Sequence, residues 1–360
     1  MRRARWIIKP KPDSPKPVIY HCISRVVNRE LVFESTEKEQ LRKFMRMYEV
    51  FSGNRVLSYC FMSNHIHLLL EIIPAAPERL TDVELLRRLR AINSEAQVAE
   101  VAKELAEARK AVADGFADES RVKAIHARFT YRMHDLSQFM KSFMQRYTQW
   151  HNGQHQRKGR LWEDRFKSLI VESGVAARTM AAYIDLNPVR AGIVADPASY
   201  RWSSYGEAVG GGAKGNGKKA REGLVRACLS HHGAGFEVEK WQEVSRIYRR
   251  AMGLALGRKP GKAEVDEKSS QTAATAEEAL AAKDNGRVLP DLGMAAMLLH
   301  RIRYFTDGAV IGSKAFVNEA FAAARERFGP RRKDGARALR GGASAAKGVL
   351  WSARDLRVNA

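Results

Sequence analysis

The chain has 360 residues, enough for two or three domains and a sizeable core. Lysine and arginine total 62 against 40 aspartates and glutamates, a net charge of +22 that fits a polyanionic partner, nucleic acid above all, better than a basic surface kept only for solubility. Three scattered cysteines, Cys22, Cys60 and Cys228, exclude a disulfide framework or a zinc cluster and fit a reducing cytoplasm, with no apolar run for a signal peptide or a membrane span.

Residues 1–17 are basic and carry four prolines. They read as an extended arm along a phosphate backbone, or equally as a disordered tail. Val18 to Val27 alternates as a first strand. Ser35 to Phe51 has helical spacing, with Leu41, Phe44, Met45, Tyr48 and Phe51 on one face, and Thr36 with Glu39 has the spacing of a capping box. Arg55 to Cys60 is a second strand. It leads through Phe61-Met62-Ser63-Asn64-His65-Ile66-His67 into a third, apolar one ending at Ile72. Side chains alternate along a strand, so His65 and His67 point to one side. Two imidazoles a strand pitch apart can grip one metal ion; taken alone, two polar residues at a strand start is the plainer account.

Residues 73–133 place Leu85, Leu89 and Ile92, then Val98, Val101, Leu105 and Val112, at helical spacing. This is one long amphipathic helix or a helical hairpin, packed on its own domain or used as a dimer contact. His134 to His151 is a core helix with Leu136, Phe139, Met140, Phe143, Met144 and Tyr147 on one side, ended by Asn152-Gly153. A polar, basic loop follows, and Arg160 to Val171 enters a fourth strand. Ala176 to Leu186 is a short helix closed by Asn187-Pro188, because the residue before a proline is pushed out of helical geometry. The order β-α-β-β-α-β plus a helix predicts an α+β fold, the ferredoxin-like split βαβ arrangement, over residues 18–205.

Beyond Trp202-Ser203-Ser204-Tyr205 the chain reads as mainly α-helical. Residues 206–257 are a helical extension containing a Gly-rich linker, and 258–288 a low-complexity linker. Residues 289–360 hold a helix over Leu292 to Tyr304, a turn Thr306 to Gly312, and a second helix capped by Ser313. A basic tail follows. The pair reads as a helix-turn-helix DNA reader or a plain helical hairpin.

One further stretch is specific: Ala182-Tyr183-Ile184-Asp185-Leu186-Asn187-Pro188-Val189-Arg190-Ala191-Gly192. With His65-Ile66-His67 and Gly159-Arg160-Leu161-Trp162-Glu163-Asp164-Arg165-Phe166-Lys167-Ser168 it resembles the single-tyrosine HUH transposases, and within them the REP-associated tyrosine transposases. The resemblance runs from Val18 to Tyr205, interrupted by the helical insertion. It implies that His65 and His67 hold a divalent ion, Mg²⁺ or Mn²⁺, and that Tyr183 attacks a DNA phosphate. Asn187, one helical turn on, would be a third ligand if the helix holds past Pro188. Attack would leave a 5′-phosphotyrosine link and a 3′-hydroxyl, on hairpin or single-stranded DNA at repeat ends. One tyrosine per site implies one covalent end at a time, hence a homodimer or sequential turnover. The setting implied is cytoplasmic and nucleoid-associated.

Arg25, Arg160, Arg165, Lys167 and Arg190 lie beside these motifs and read as phosphate contacts, with ordinary solvated charge as the alternative. Tyr147 is the rival nucleophile, but its spacing with Met140 and Phe143 puts it on the core face. Trp162 is either a base-stacking platform or a buried aromatic. Two other functions remain: a domesticated nucleic-acid-binding protein that does not cleave, and an HUH replication initiator or relaxase.

Overall fold

The computed structural model describes residues 5–8, 16–76, 80–210, 217–229, 240–253, 298, 303–330, 332–339 and 349–354. Its first half runs β1 (Val18–Arg25), α1 (Ser35–Ser52), β2 (Arg55–Phe61), β3 (His65–Ile72), α2 (Asp82–Arg90), α3 (Glu95–Ala113), α4 (Ser120–Thr130), α5 (Leu136–Gln154) and β4 (Lys167–Val171). Then come α6 (Val175–Asp185), α7 (Asn187–Arg190), α8 (Ser204–Gly210), α9 (Lys218–Cys228) and α10 (Trp241–Ala251). The last described part holds α11 (Tyr304–Asp307), β5 (Val310–Gly312), α12 (Lys314–Ala323), β6 (Arg337–Ala338) and β7 (Trp351–Ala353).

The strands form one mixed sheet in the order β2-β3-β1-β4-β5-β7-β6. The first four are antiparallel, with β3 between β1 and β2 and β4 on the far side of β1. That order is the split βαβ arrangement expected from the sequence, and the protein is α+β.

Strict alternation gives the sheet two different faces. On one face Tyr20 and Cys22 of β1, Ile66, Leu68 and Leu70 of β3 and Ile170 of β4 join a core with Leu41, Phe44 and Met45 of α1 and Phe139, Met140, Phe143 and Tyr147 of α5. Leu85 and Leu89 of α2 extend it, so the insertion packs on its own domain. It is three helices rather than one long helix or a hairpin. The other face gathers Ile19, Leu57, Cys60, Leu69 and Leu169 against α6, α9 and α10. There α9 lies close on β2: a Cβ on Gly223 would meet the Val56 carbonyl oxygen at 2.4 Å, so only glycine fits. Arg226 of α9 donates to Glu71 of β3 at 3.1 Å, both side chains buried, which fixes the helix to the sheet.

Several local expectations shift. The capping box of α1 uses Glu34 and Glu37, not Thr36 and Glu39: the Glu34 N–H donates to Glu37 Oε2 at 3.1 Å. Helix α5 runs past Asn152-Gly153 and ends where Gln156 takes a left-handed φ of 49°. The part of the N-terminal arm that is described, residues 5–8, docks on the sheet rather than extending away. Trp6 is buried against Phe328, and the Ile8 N–H donates to the Tyr20 hydroxyl at 2.8 Å. The proposed turn Thr306 to Gly312 contains β5, which pairs parallel to β4, and β7 and β6 follow. A strand inside the turn removes the helix-turn-helix reading, although Ser313 does cap the next helix by accepting from the Phe316 N–H at 3.2 Å. Most of residues 292–302 and the linker 258–288 lie outside the described residues, as does much of the basic tail.

Candidate active site

β3 begins at His65 after a tight bend. The bend is held by Val26 N–H donating to the Asn64 carbonyl and Phe33 N–H donating to the Ser63 carbonyl, each at 2.9 Å. In the antiparallel ladder Arg25 lies opposite His65, Ile23 opposite His67, and His21 opposite Leu69. His65, His67 and His21 therefore share one face, the one covered by α6. The His65 and His67 rings sit 5.1 Å apart, edge to face, and the His67 and His21 rings stack at 5.1 Å. His67 and His21 are 3% and 0% exposed, whereas His65 is half-buried. Desolvation pushes the His21 pKa down to about 4, despite its bond to the Phe305 carbonyl. His67 is held well below the ordinary histidine value, first by desolvation and then by repulsion from its histidine neighbours. At neutral pH both rings are neutral, the form that binds metal.

Tyr183 lies near the end of α6 on the same face, its ring 6.5 Å from that of His21 and edge-on to Phe305 at 4.9 Å. It is 2% exposed. The Arg190 guanidinium covers the ring at 4.0 Å and donates to the carbonyls of Tyr183 at 2.6 Å and Leu298 at 2.8 Å. Burial lowers the Arg190 pKa from its ordinary value. From behind, Asp185 braces the helix: it accepts from the Tyr205 N–H at 2.9 Å and the Tyr248 hydroxyl at 2.7 Å. Burial outweighs those bonds and raises the Asp185 carboxyl to about 7.

Asn187 starts α7, because the missing N–H of Pro188 falls in a first turn that needs no partner. Its amide turns back on the helix end, donating to the carbonyls of Ile184 at 3.1 Å and Tyr183 at 3.4 Å. Among the described residues no group of three or more His, Cys, Asp or Glu side chains is arranged to hold a metal ion. The side chains of the predicted set whose chemistry fits a divalent ion are the His65 and His67 imidazoles and the Asn187 amide oxygen; the Asn187 hydrogen bonds to the helix end use its amide nitrogen.

The other cations divide. Arg160, Arg165 and Lys167 are exposed, Lys167 pairing with Asp307 at 3.2 Å. Arg25 is half-buried beside His65. Arg190 is the one turned inward onto the tyrosine. Tyr147 lies on the opposite, apolar face within 5.6 Å of Phe33 and 6.0 Å of Trp162. Trp162 is itself buried, its indole N–H donating to Thr148 Oγ1 at 3.0 Å, so it packs rather than stacks a base. His21, Asn64 and Phe305 are the site residues the sequence reading missed. The alternation of β1 puts His21 on the His67 side, and that was its only signal.

Residues 16–82 match the family model described as transposase IS200 like, a segment holding β1, α1, β2, β3 and both candidate ligand histidines but ending before Tyr183. No curated protein matches the chain. A solved structure of a REP-associated tyrosine transposase bound to a REP hairpin is similar at 13% identity and a TM-score of 0.35, covering 60% of this chain and 87% of that one. No helix among the described residues is long and apolar enough to cross a membrane.

Proposed function

We propose, on the premise that residues 16–82 belong to the IS200-like transposase family, that the chain is a metal-dependent DNA strand transferase with Tyr183 as its nucleophile. The observation that supports this most is the common face: His65, His67 and Tyr183, more than a hundred residues apart, lie on one side of the sheet.

The substrate would be hairpin or single-stranded DNA at repeat ends. Exposed Arg160, Arg165 and Lys167, with Arg25, draw the phosphate backbone toward the histidine edge of the sheet. His65 and His67 would hold Mg²⁺ or Mn²⁺, which would supply the positive charge that polarises a scissile phosphate. The Tyr183 hydroxyl gives up its proton and its oxygen attacks phosphorus, forming a 5′-phosphotyrosine bond as the bond to the 3′-oxygen breaks and that oxygen takes up a proton to leave as a 3′-hydroxyl. Arg190, over the ring, offsets the negative charge that builds on the phenol oxygen. A 3′-hydroxyl from another strand reverses the step and joins new ends without ATP. Because Tyr183 is 2% exposed with the Phe305 ring edge-on to it, cleavage requires that ring to swing off the phenol while the Phe305 carbonyl stays on His21.

That same burial favours a second reading, a protein that binds nucleic acid without cutting it. The two separate on incubation of labelled single-stranded hairpin DNA with the full chain and Mn²⁺ or Mg²⁺. The transferase forms a covalent adduct that survives denaturation and disappears in Tyr183→Phe and on chelation. Retained binding with no adduct from either protein selects the binding-only reading.

A further inference from the structure

A neutral imidazole presents one lone pair, and which nitrogen bears it is set by the bond the other nitrogen makes. In this site both imidazoles bond to a relay residue whose own bond ends on a backbone carbonyl, which only accepts. The Phe305 carbonyl lies 2.9 Å from His21 Nδ1, so that nitrogen carries the proton and donates. His21 Nε2 is then the acceptor, and it lies 2.9 Å from His67 Nδ1. His67 must donate from Nδ1, which leaves its lone pair on Nε2. The second relay has the same logic. The Asn64 amide nitrogen donates to the Arg29 carbonyl at 2.9 Å, which fixes which way that amide points. Its Oδ1 therefore faces His65 Nδ1 at 2.7 Å and accepts from it. His65 too is left with its lone pair on Nε2. The Arg29 carbonyl is delivered by a short turn in which Asn28 and Arg29 take left-handed φ values of 56° and 59°, unusual for residues other than glycine.

We infer that His21 and Asn64 are positioning residues that lock His67 and His65 in the Nδ1–H tautomer, so that both present Nε2 to a metal ion. This deepens the proposed function and rests on it for the identity of the ligands. It also explains why His21 is wholly buried between His67 and Phe305 without facing substrate. In water a neutral imidazole favours its proton on Nε2, so the alternative tautomer is one the fold has to impose. The relay through Phe305 further makes α11, 284 residues from His21, a support of the ligand set.

The test needs no DNA. Long-range ¹H–¹⁵N correlation spectra of the metal-free, histidine-labelled full chain at neutral pH should show His65 and His67 protonated on Nδ1. Mn²⁺ titration of His21→Leu should bind 10- to 100-fold more weakly than wild type, the usual cost of losing such a support. His21→Gln, whose amide can accept from His67 and donate to Phe305, should recover most of the affinity. Asn64→Ala should weaken binding similarly. An Nε2–H tautomer at His67 in the wild type, or His21→Leu binding Mn²⁺ as tightly as wild type, overturns the inference. Nδ1–H tautomers in a chain that binds no Mn²⁺ support the relays and contradict the metal reading instead, so the two failures are separable.

Discussion

The two faces of the sheet are made by the same strands and serve different ends. Along β1, Tyr20 and Cys22 go to the apolar side and His21 and Ile23 to the other; along β3, Ile66 and Leu68 oppose His65 and His67. The apolar face meets α1, α5 and the three-helix insertion almost wholly through aromatic and aliphatic contacts. The opposite face buries His21, His67, Glu71, Arg178, Asp185 and Arg226 along with its aliphatic residues. Buried polar groups cost stability unless each finds a partner, and the buried charged and imidazole groups of the strands themselves lie on this side, while Glu37 and His151 are buried on the helices of the other. On the proposed function, one face supplies stability and the other would carry the chemistry.

The comparison breaks most readily at His67. His67→Ala should lower adduct formation per folded molecule by more than the roughly 100-fold that a supporting residue costs, and should also lower the thermal midpoint, because it strands the buried His21 Nε2. A variant that keeps full activity would remove the histidine face from the chemistry. On the apolar face the expectation reverses. Phe143→Ala should cost about 3–5 kcal/mol of stability in urea unfolding yet leave adduct formation per folded molecule intact. Arg226→Ala strands the buried Glu71 carboxylate and should cost about 3 kcal/mol or somewhat more, Arg55 at 3.1 Å remaining as its other partner.

Asp185 sharpens the contrast through pH. Its carboxyl is raised from 3.8 to about 7, so the folded state binds that proton more tightly than the unfolded chain. The stability this gives is complete below the unfolded value and is lost as pH rises through about 7. Asp185→Asn should therefore lose less stability than wild type between mildly acidic and mildly alkaline conditions, by on the order of a few kcal/mol. His21, depressed from 6.5 to about 4, tilts stability the other way over its own range, but equally in both proteins, so it cancels in the difference. The smallest effect belongs to Tyr147. Its buried hydroxyl has no hydrogen-bond partner among the described residues, so Tyr147→Phe should be neutral or stabilise by about 1 kcal/mol and leave the adduct unchanged.

What the sequence made legible follows from range. The β-α-β-β core was readable because strands and helices of ordinary length carry their period in a dozen residues or fewer. His65, His67 and Tyr183 stand in short motifs, which is why they could be named as candidates from sequence. His21 was not, because a single histidine in an apolar strand gains meaning only from Phe305, 284 positions away. The strands β5, β6 and β7 are two or three residues long and show no period, so Val310–Gly312 passed for part of a turn. Asn187 shows what spacing leaves out: it stands one turn after Tyr183, but a new helical turn begins at Asn187 itself, and its amide nitrogen closes the end of the preceding helix.

The most direct test of the central claim is to map the covalent link. After reaction with hairpin DNA and Mn²⁺, nuclease trimming and proteolysis, mass spectrometry should find the residual nucleotide on the peptide containing Tyr183. A nucleotide on the peptide containing Tyr147, or an adduct of undiminished yield in Tyr183→Phe, would contradict the account.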